Sequence, residues 1–198
     1  MDKLTRNDLW SLEEYAQHRA GFRQQVLAHK KDLQAGLGEH LRLLFEDRMT
    51  IQYQVQEMLR IERVFEPDAI QEELDAYNPL IPDGHNWKAT MLLEYADVEE
   101  RRLALARLID VERRVWVQVG DGPRVYAIAD EDLERSDESK TSSVHFLRWE
   151  LSDSMMAALK QGQAVHLGCD HPALSVETTL TEPQKEALRA CLDEPRAH

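Results

Sequence analysis

The chain has 198 residues, 42% of them apolar and 31% charged, with 24 Lys and Arg against 37 Asp and Glu for a formal charge of −13. This is enough apolar material for a packed core, which excludes a disordered tail protein, and the length is that of one domain. So acidic a chain lacks the basic footprint that nucleic acid or an anionic membrane demands, and its two cysteines build neither a zinc ribbon nor a disulfide framework.

Ser11-Leu-Glu-Glu14 is a capping-box signature, and a helical pattern follows to about Leu33, with Gly21 as a point where it could break. Leu41–Phe45 alternates as a strand. A second helix is expected from Thr50 to Phe65, and a third from Asp68 to Tyr77, halted by Asn78-Pro79. The stretch 78–86, with two prolines and an Asp-Gly pair, is the best-marked loop in the chain. Trp87 to Tyr95 alternates as a half-buried strand, and 97–109 is an amphipathic helix. Val115–Val119 and Val125–Ala129 flank Gly120-Asp-Gly-Pro123 as a hairpin. A strand from Ser142 to Leu151, a short helix over 154–160, a strand over 165–169 and a last helix over 183–192 complete the pattern. The order of elements predicts an α+β fold: a mixed, mainly antiparallel sheet of about five or six strands with helices packed on it and an appended C-terminal helix. Residues 1–172 form the expected domain and 173–198 a tail with one helix.

No apolar run approaches the ~18 residues of a membrane span, and no apolar stretch follows a basic start at the N-terminus. The expectation is a cytoplasmic protein with reduced cysteines. Phosphate-binding loops, the dinucleotide fingerprint, the zinc-protease motif and the nucleophile elbow are all missing. Neither a cofactor nor a metal is expected from the residues.

Function tends to surface where a polar group breaks the local pattern. On a helical wheel from Ile51, Glu62 falls at about 20°, between Val55 at about 40° and Met58 at about 340°. A carboxylate within an apolar stripe has to be paired or carry a raised pKa. Arg19, Arg23 and Lys30 lie on the apolar stripe of the first helix, either laying their stems on apolar surface or gathering an anion or a neighbouring carboxylate. Cys169 and His171 point the same way if their strand persists, a thiol beside an imidazole. His145 alternates with Leu147 and Trp149 on one strand face, opposite Val144, Phe146 and Arg148, and reads as a core histidine. Tyr77, Asn78, Asp83 and His85 give the 78–86 loop donors, acceptors and one group that titrates near neutrality.

Four longer blocks carry a resemblance: Tyr53 to Arg63, Glu72 to Gly84, Arg114 to Gln118 and Lys140 to Arg148. They resemble the signature blocks of the bacterial domain of unknown function 3501 family, over about Leu4 to Pro172. The resemblance implies no catalytic residue. Through the family's gene neighbourhoods it implies a part in a redox system with rubrerythrin-like diiron proteins and iron–sulfur oxidoreductases. The expected role is then a non-catalytic accessory protein docking on such a diiron or iron–sulfur partner, through its acidic blocks and the 78–86 loop. The alternative is a small-molecule-binding domain or enzyme, with a pocket between the sheet and the second helix around Glu62, His85, His145 and Arg148. A weaker third reading is a metal site from Glu62, Glu66 or Glu73 with His85. The acidity sits in two blocks: ten acids to three bases over 46–83, and thirteen to eight over 94–140.

Overall fold

A computed structural model of the chain describes residues 1–132, 135, 136 and 139–192. The Ser11 cap is made as the sequence predicts: the Glu14 N–H donates to the Ser11 hydroxyl at 3.2 Å, and the Ser11 N–H to the Glu14 carboxylate at 3.0 Å. Helix α1 (Leu12–His29) then runs through Gly21 without a break. Helix α2 (Arg48–Glu62) starts two residues before the expected Thr50, because Asp47 supplies its cap by accepting from the Thr50 N–H at 2.8 Å. It stops at Arg63, which turns left-handed with φ 56°. Helix α3 (Pro67–Tyr77) carries proline in its first turn.

The remaining helices are α4 (Val98–Arg107), α5 (Asp153–Lys160) and α6 (Glu182–Ala190). The described strands are β1 (Gln34–Leu37), β2 (Leu41–Phe45), β3 (Asn86–Leu93), β4 (Val115–Val119), β5 (Val125–Tyr126), β6 (Ile128–Ala129), β7 (Val144–Glu150), β8 (Val165–His171) and β9 (Leu174–Thr179). The fold is α+β, with the C-terminal helix in place.

The strands form two antiparallel sheets, ordered β1-β2-β3-β7-β6 and β5-β4-β8-β9, where the sequence suggested one. Two features divide them. The expected hairpin pairs only at Trp116 with Tyr126 and Val117 with Val125. After Ala127, whose N–H donates to the Val115 carbonyl at 2.8 Å, Ile128 and Ala129 pair with β7 in the other sheet. The chain thus changes sheet within five residues. β1 and β9, the strands not read from the sequence, lie beside each other at the opposite side.

The inward faces of both sheets share one apolar core, in which Leu43, Trp87, Met91 and Trp149 are joined by Val115, Val117 and Leu167. Gly168 is required where it stands: a Cβ there would come within 2.2 Å of the Trp116 ring, its cross-strand partner. Ala104 of α4, Met155, Met156 and Leu159 of α5 and Leu188 of α6 enter the same core. The boundary expected after residue 172 falls between β8 and β9, which pair from His166–Thr179 to His171–Leu174. The Trp87 indole N–H donates to the Leu188 carbonyl at 3.0 Å, tying α6 to the core.

A second apolar cluster joins Leu4, Ile51, Val55, Leu59, Leu74 and Ile81 beneath α2 and α3. Because side chains alternate across a strand, Lys88 and Thr90 of β3 and Phe146 and Arg148 of β7 face away from the main core. Among the described residues no helix is long and apolar enough to cross a membrane.

Candidate functional site

A cleft of about 710 Å³ lies between that outer sheet face and the helices. Lys88, Phe146 and Arg148 line it from the sheet, Met58 and Glu62 from α2, and Glu73, Ala76 and Tyr77 from α3. Pro79 and Leu80 of the following turn, Glu131 and Asp132 after β6, and the buried Glu46 complete the wall.

Both basic side chains in the cleft are engaged. The Lys88 ammonium donates to the carbonyls of Pro79 at 2.5 Å and Ile81 at 3.2 Å, and burial pushes its pKa down. Arg148 grips Glu131 with two bonds, Nε to Oε2 at 2.7 Å and Nη2 to Oε1 at 2.8 Å, and also pairs with Glu150. The guanidinium holds the Glu131 carboxyl below its ordinary range. Glu62 and Glu73 differ: among the described residues neither has a hydrogen-bond or ion-pair partner. Burial, with the charges of Glu62 and Glu72 nearby, raises the Glu73 carboxyl. Burial, then Glu73 and Glu62, raise the Tyr77 hydroxyl as well. Glu46 is raised by burial, although the Thr50 and Thr90 hydroxyls lie 2.6 and 3.1 Å from its oxygens.

Glu62, Tyr77 and Arg148, singled out in the sequence, are brought together here. Glu62 is not buried in a stripe, however. The buried positions of α2 are Thr50, Ile51, Val55, Gln56 and Leu59; Glu62 has the angle of that face but is the last residue of the helix, past the last buried position, and Phe65 beyond the helix end is 69% exposed. Glu62 sits at the exposed rim. The paired carboxylate of α2 is Glu57, which accepts from the Tyr15 hydroxyl at 2.8 Å and from Arg19 at 2.7 and 2.9 Å.

The other loop residues are structural. Asn78 exchanges two bonds with the Leu4 backbone, at 2.8 and 2.9 Å, pinning the N-terminal segment. Asp83 accepts from the His85 N–H at 3.0 Å and from Asn86 at 2.8 Å. Burial pushes the Asp83 carboxyl up, but those bonds and the nearby Lys88 and Lys3 bring it below its ordinary range. His85 is exposed and lies outside the cleft. The expected four-residue pocket is therefore not formed, since His145 points to the opposite face of β7 and is fully buried.

His145 Nδ1 lies 2.6 Å from Asp130 Oδ2, and Nε2 lies 2.8 Å from Thr141 Oγ1. Glu112, Asp130 and His145 are the one group of three His, Cys, Asp or Glu among the described residues with ligand atoms all within 4.8 Å. The set expected around His85 does not assemble. His171 is also engaged, Nε2 against the Ile109 carbonyl at 3.0 Å and Nδ1 accepting from the Ala173 N–H at 3.1 Å. Burial raises the neighbouring Cys169 thiol, so that pair is not an activated nucleophile.

Sequence reasoning missed Lys88 and Glu131 as lining groups and had Glu73 only as a candidate metal ligand. The signal for Lys88 was present, since it alternates outward on a recognised strand, as do Phe146 and Arg148 on theirs.

The model of the family described as a protein of unknown function, DUF3501, matches residues 3–192. The chain belongs to the DUF3501 family. Its match runs beyond the blocks that carry the sequence resemblance and takes in β9 and α6. A crystal structure of a novel protein of unknown function from Burkholderia pseudomallei K96243 is similar to this DUF3501 protein over 97% of this chain and 100% of that one. The two share 51% identity and a TM-score of 0.91. No curated protein matches the chain.

Proposed function

We propose that this DUF3501 protein binds a small organic molecule in the cleft between α2, α3 and the outer sheet face, and that the ligand joins an apolar body to a cationic group. At about 710 Å³ the cleft has the size usual for small-molecule sites, ~300–1,000 Å³. Met58, Tyr77, Leu80 and Phe146 offer apolar surface to the body of the ligand. The observation that carries the reading is the charge pattern: the resident cations Lys88 and Arg148 are satisfied internally, while Glu62 and Glu73 have no cationic partner among the described residues. A bound ammonium would relieve their mutual repulsion.

Calorimetry with a series of aryl- and alkylamines and their neutral isosteres tests this. Amines should bind at least about tenfold more tightly than their isosteres, and the variant carrying Glu62→Gln and Glu73→Gln should lose about 1.5–3 kcal/mol of that affinity. Equal binding of amine and isostere, or no binding by either, would remove the reading.

A second reading, docking on a redox partner of the diiron or iron–sulfur kind, is favoured by a separate observation. Ile61 and Phe65, 63% and 69% exposed, stand at the α2–α3 corner among Glu62, Glu66 and Asp68, with Arg60 and Arg63 beside them. An exposed apolar pair within a charged surround suits a steered protein contact. Pull-down with such partners should succeed at low salt, weaken at high salt and fail for Phe65→Ala; absence of a complex at low salt would count against it.

A further inference from the structure

The inner face of β7 is apolar at Leu147 and Trp149, so a fully buried imidazole at 145 has to be held by polar groups brought to it. Asp130 arrives from the end of β6 in a left-handed conformation, φ 51°. One of its oxygens accepts from the Phe146 N–H at 3.0 Å, and the other lies 2.6 Å from His145 Nδ1. The ring is thereby fixed, and its other nitrogen faces oxygen. Thr141 Oγ1 lies 2.8 Å from Nε2, the Ser142 carbonyl 3.0 Å and Glu112 Oε2 3.9 Å. Thr141 Oγ1 and Glu112 Oε2 are 3.4 Å apart. Glu112 is 3% exposed. A separate cavity of about 300 Å³, lined by Asp110, Glu112, Arg113, Asp130, Arg135 and Ser136, meets this cluster at Glu112 and Asp130.

We propose that this cluster is a divalent-cation site, with His145 Nε2, Glu112 Oε2, Thr141 Oγ1 and the Ser142 carbonyl as donors and Asp130 holding the imidazole from its far side. An octahedral ion with bonds of about 2.1 Å keeps neighbouring donors about 3.0 Å apart. Three of the four separations just given are already close to that value, and the fourth closes with a small swing of the Glu112 carboxylate. A carboxylate on Nδ1 is the usual partner of a metal-binding histidine: it fixes the tautomer that leaves Nε2 a lone pair for the ion. One nitrogen among oxygens suits Mn²⁺ better than the sulfur- and nitrogen-rich tetrahedral set of structural zinc. The cavity opens onto Glu112, which gives the ion an entry path past that carboxylate. The site lies on the opposite face of β7 from the amine cleft and stands independently of it.

Metal-stripped protein titrated with Mn²⁺, followed by calorimetry and electron paramagnetic resonance, tests the proposal. Wild type should bind one Mn²⁺ per chain, with a nitrogen coupling from His145 in the pulsed spectrum, and should melt at rising temperature as Mn²⁺ increases. Asp130→Asn, a positioning variant, should keep the stoichiometry and weaken affinity about 10–100-fold. Glu112→Gln should lose the site, and the Glu62→Gln, Glu73→Gln variant should bind as wild type. The absence of saturable Mn²⁺ binding by wild type overturns the proposal whatever the variants do. So does a Glu112→Gln protein with an unchanged circular dichroism spectrum that binds as wild type, or a bound Mn²⁺ with no nitrogen coupling.

Discussion

Glu57 shows how much a single side chain's surroundings decide. Two positions on α2 carry carboxylates five residues apart, one at the exposed rim of a cleft and the other facing α1. Glu57 accepts from Arg19, Tyr15 and Arg60, and the Arg19 bonds lead in holding its pKa down at about 2. Because that value lies below the ordinary 4.5, the unfolded chain takes up the proton first. The stabilisation is complete above about pH 4.5 and fades as pH falls through about 2. Glu57→Gln should therefore destabilise the protein by about 1–3 kcal/mol at neutral pH, as measured by urea unfolding, and the gap should shrink steadily toward pH 2. A gap that stays constant with pH would assign the loss to packing. The sequence did indicate that Arg19 could meet a neighbouring helix's carboxylate. It did not indicate which one, because on the same wheel Glu57 falls at about 240°, away from the apolar stripe that drew attention to Glu62.

Elements were legible where a local signal fixed them. The Ser11 cap and Asn78-Pro79 after a helix are each written into a few adjacent residues, and α1 begins and α3 ends close to where those signals put them. Gly21 was a false break, since a helix of 18 residues with a good cap and side-chain ties to α2 outweighs one glycine. It is exposed, and a Cβ there would meet nothing within 4 Å. Gly21→Ala should accordingly stabilise the protein by about 0.5–1 kcal/mol, seen as a rise of a few degrees in melting temperature. An unchanged or lowered melting point would show that α1 frays at that turn. β1 escaped notice because four residues including Gly36 make a weak strand signal. β9 does alternate, with Leu174 and Val176 on one face, but reads as part of a tail until β8 is there to pair with it.

At the scale of the whole molecule the sequence carried the class and not the arrangement. Strand pairing is non-local, so nothing in residues 125–129 announces that Tyr126 belongs with Trp116 while Ile128 belongs with Arg148. The candidate cleft was half legible for the same reason. That a pocket would lie between the sheet and α2 followed from the helical and strand faces, and Glu62, Tyr77 and Arg148 are in it. That His145 is absent from it follows from the parity of β7, which sends 145 and 148 to opposite faces. The change of sheet at Ala127 also affects how copies of the chain meet one another. A sheet that ends on a long unpaired strand offers its free amides and carbonyls to any passing chain. Here the strands at the corner, β5 and β6, have two residues each, while β1 and β9 lie beside each other at the other side. At that corner a foreign strand would find too few consecutive partners to hold, so the path of the backbone itself guards this side of the protein against strand-to-strand aggregation.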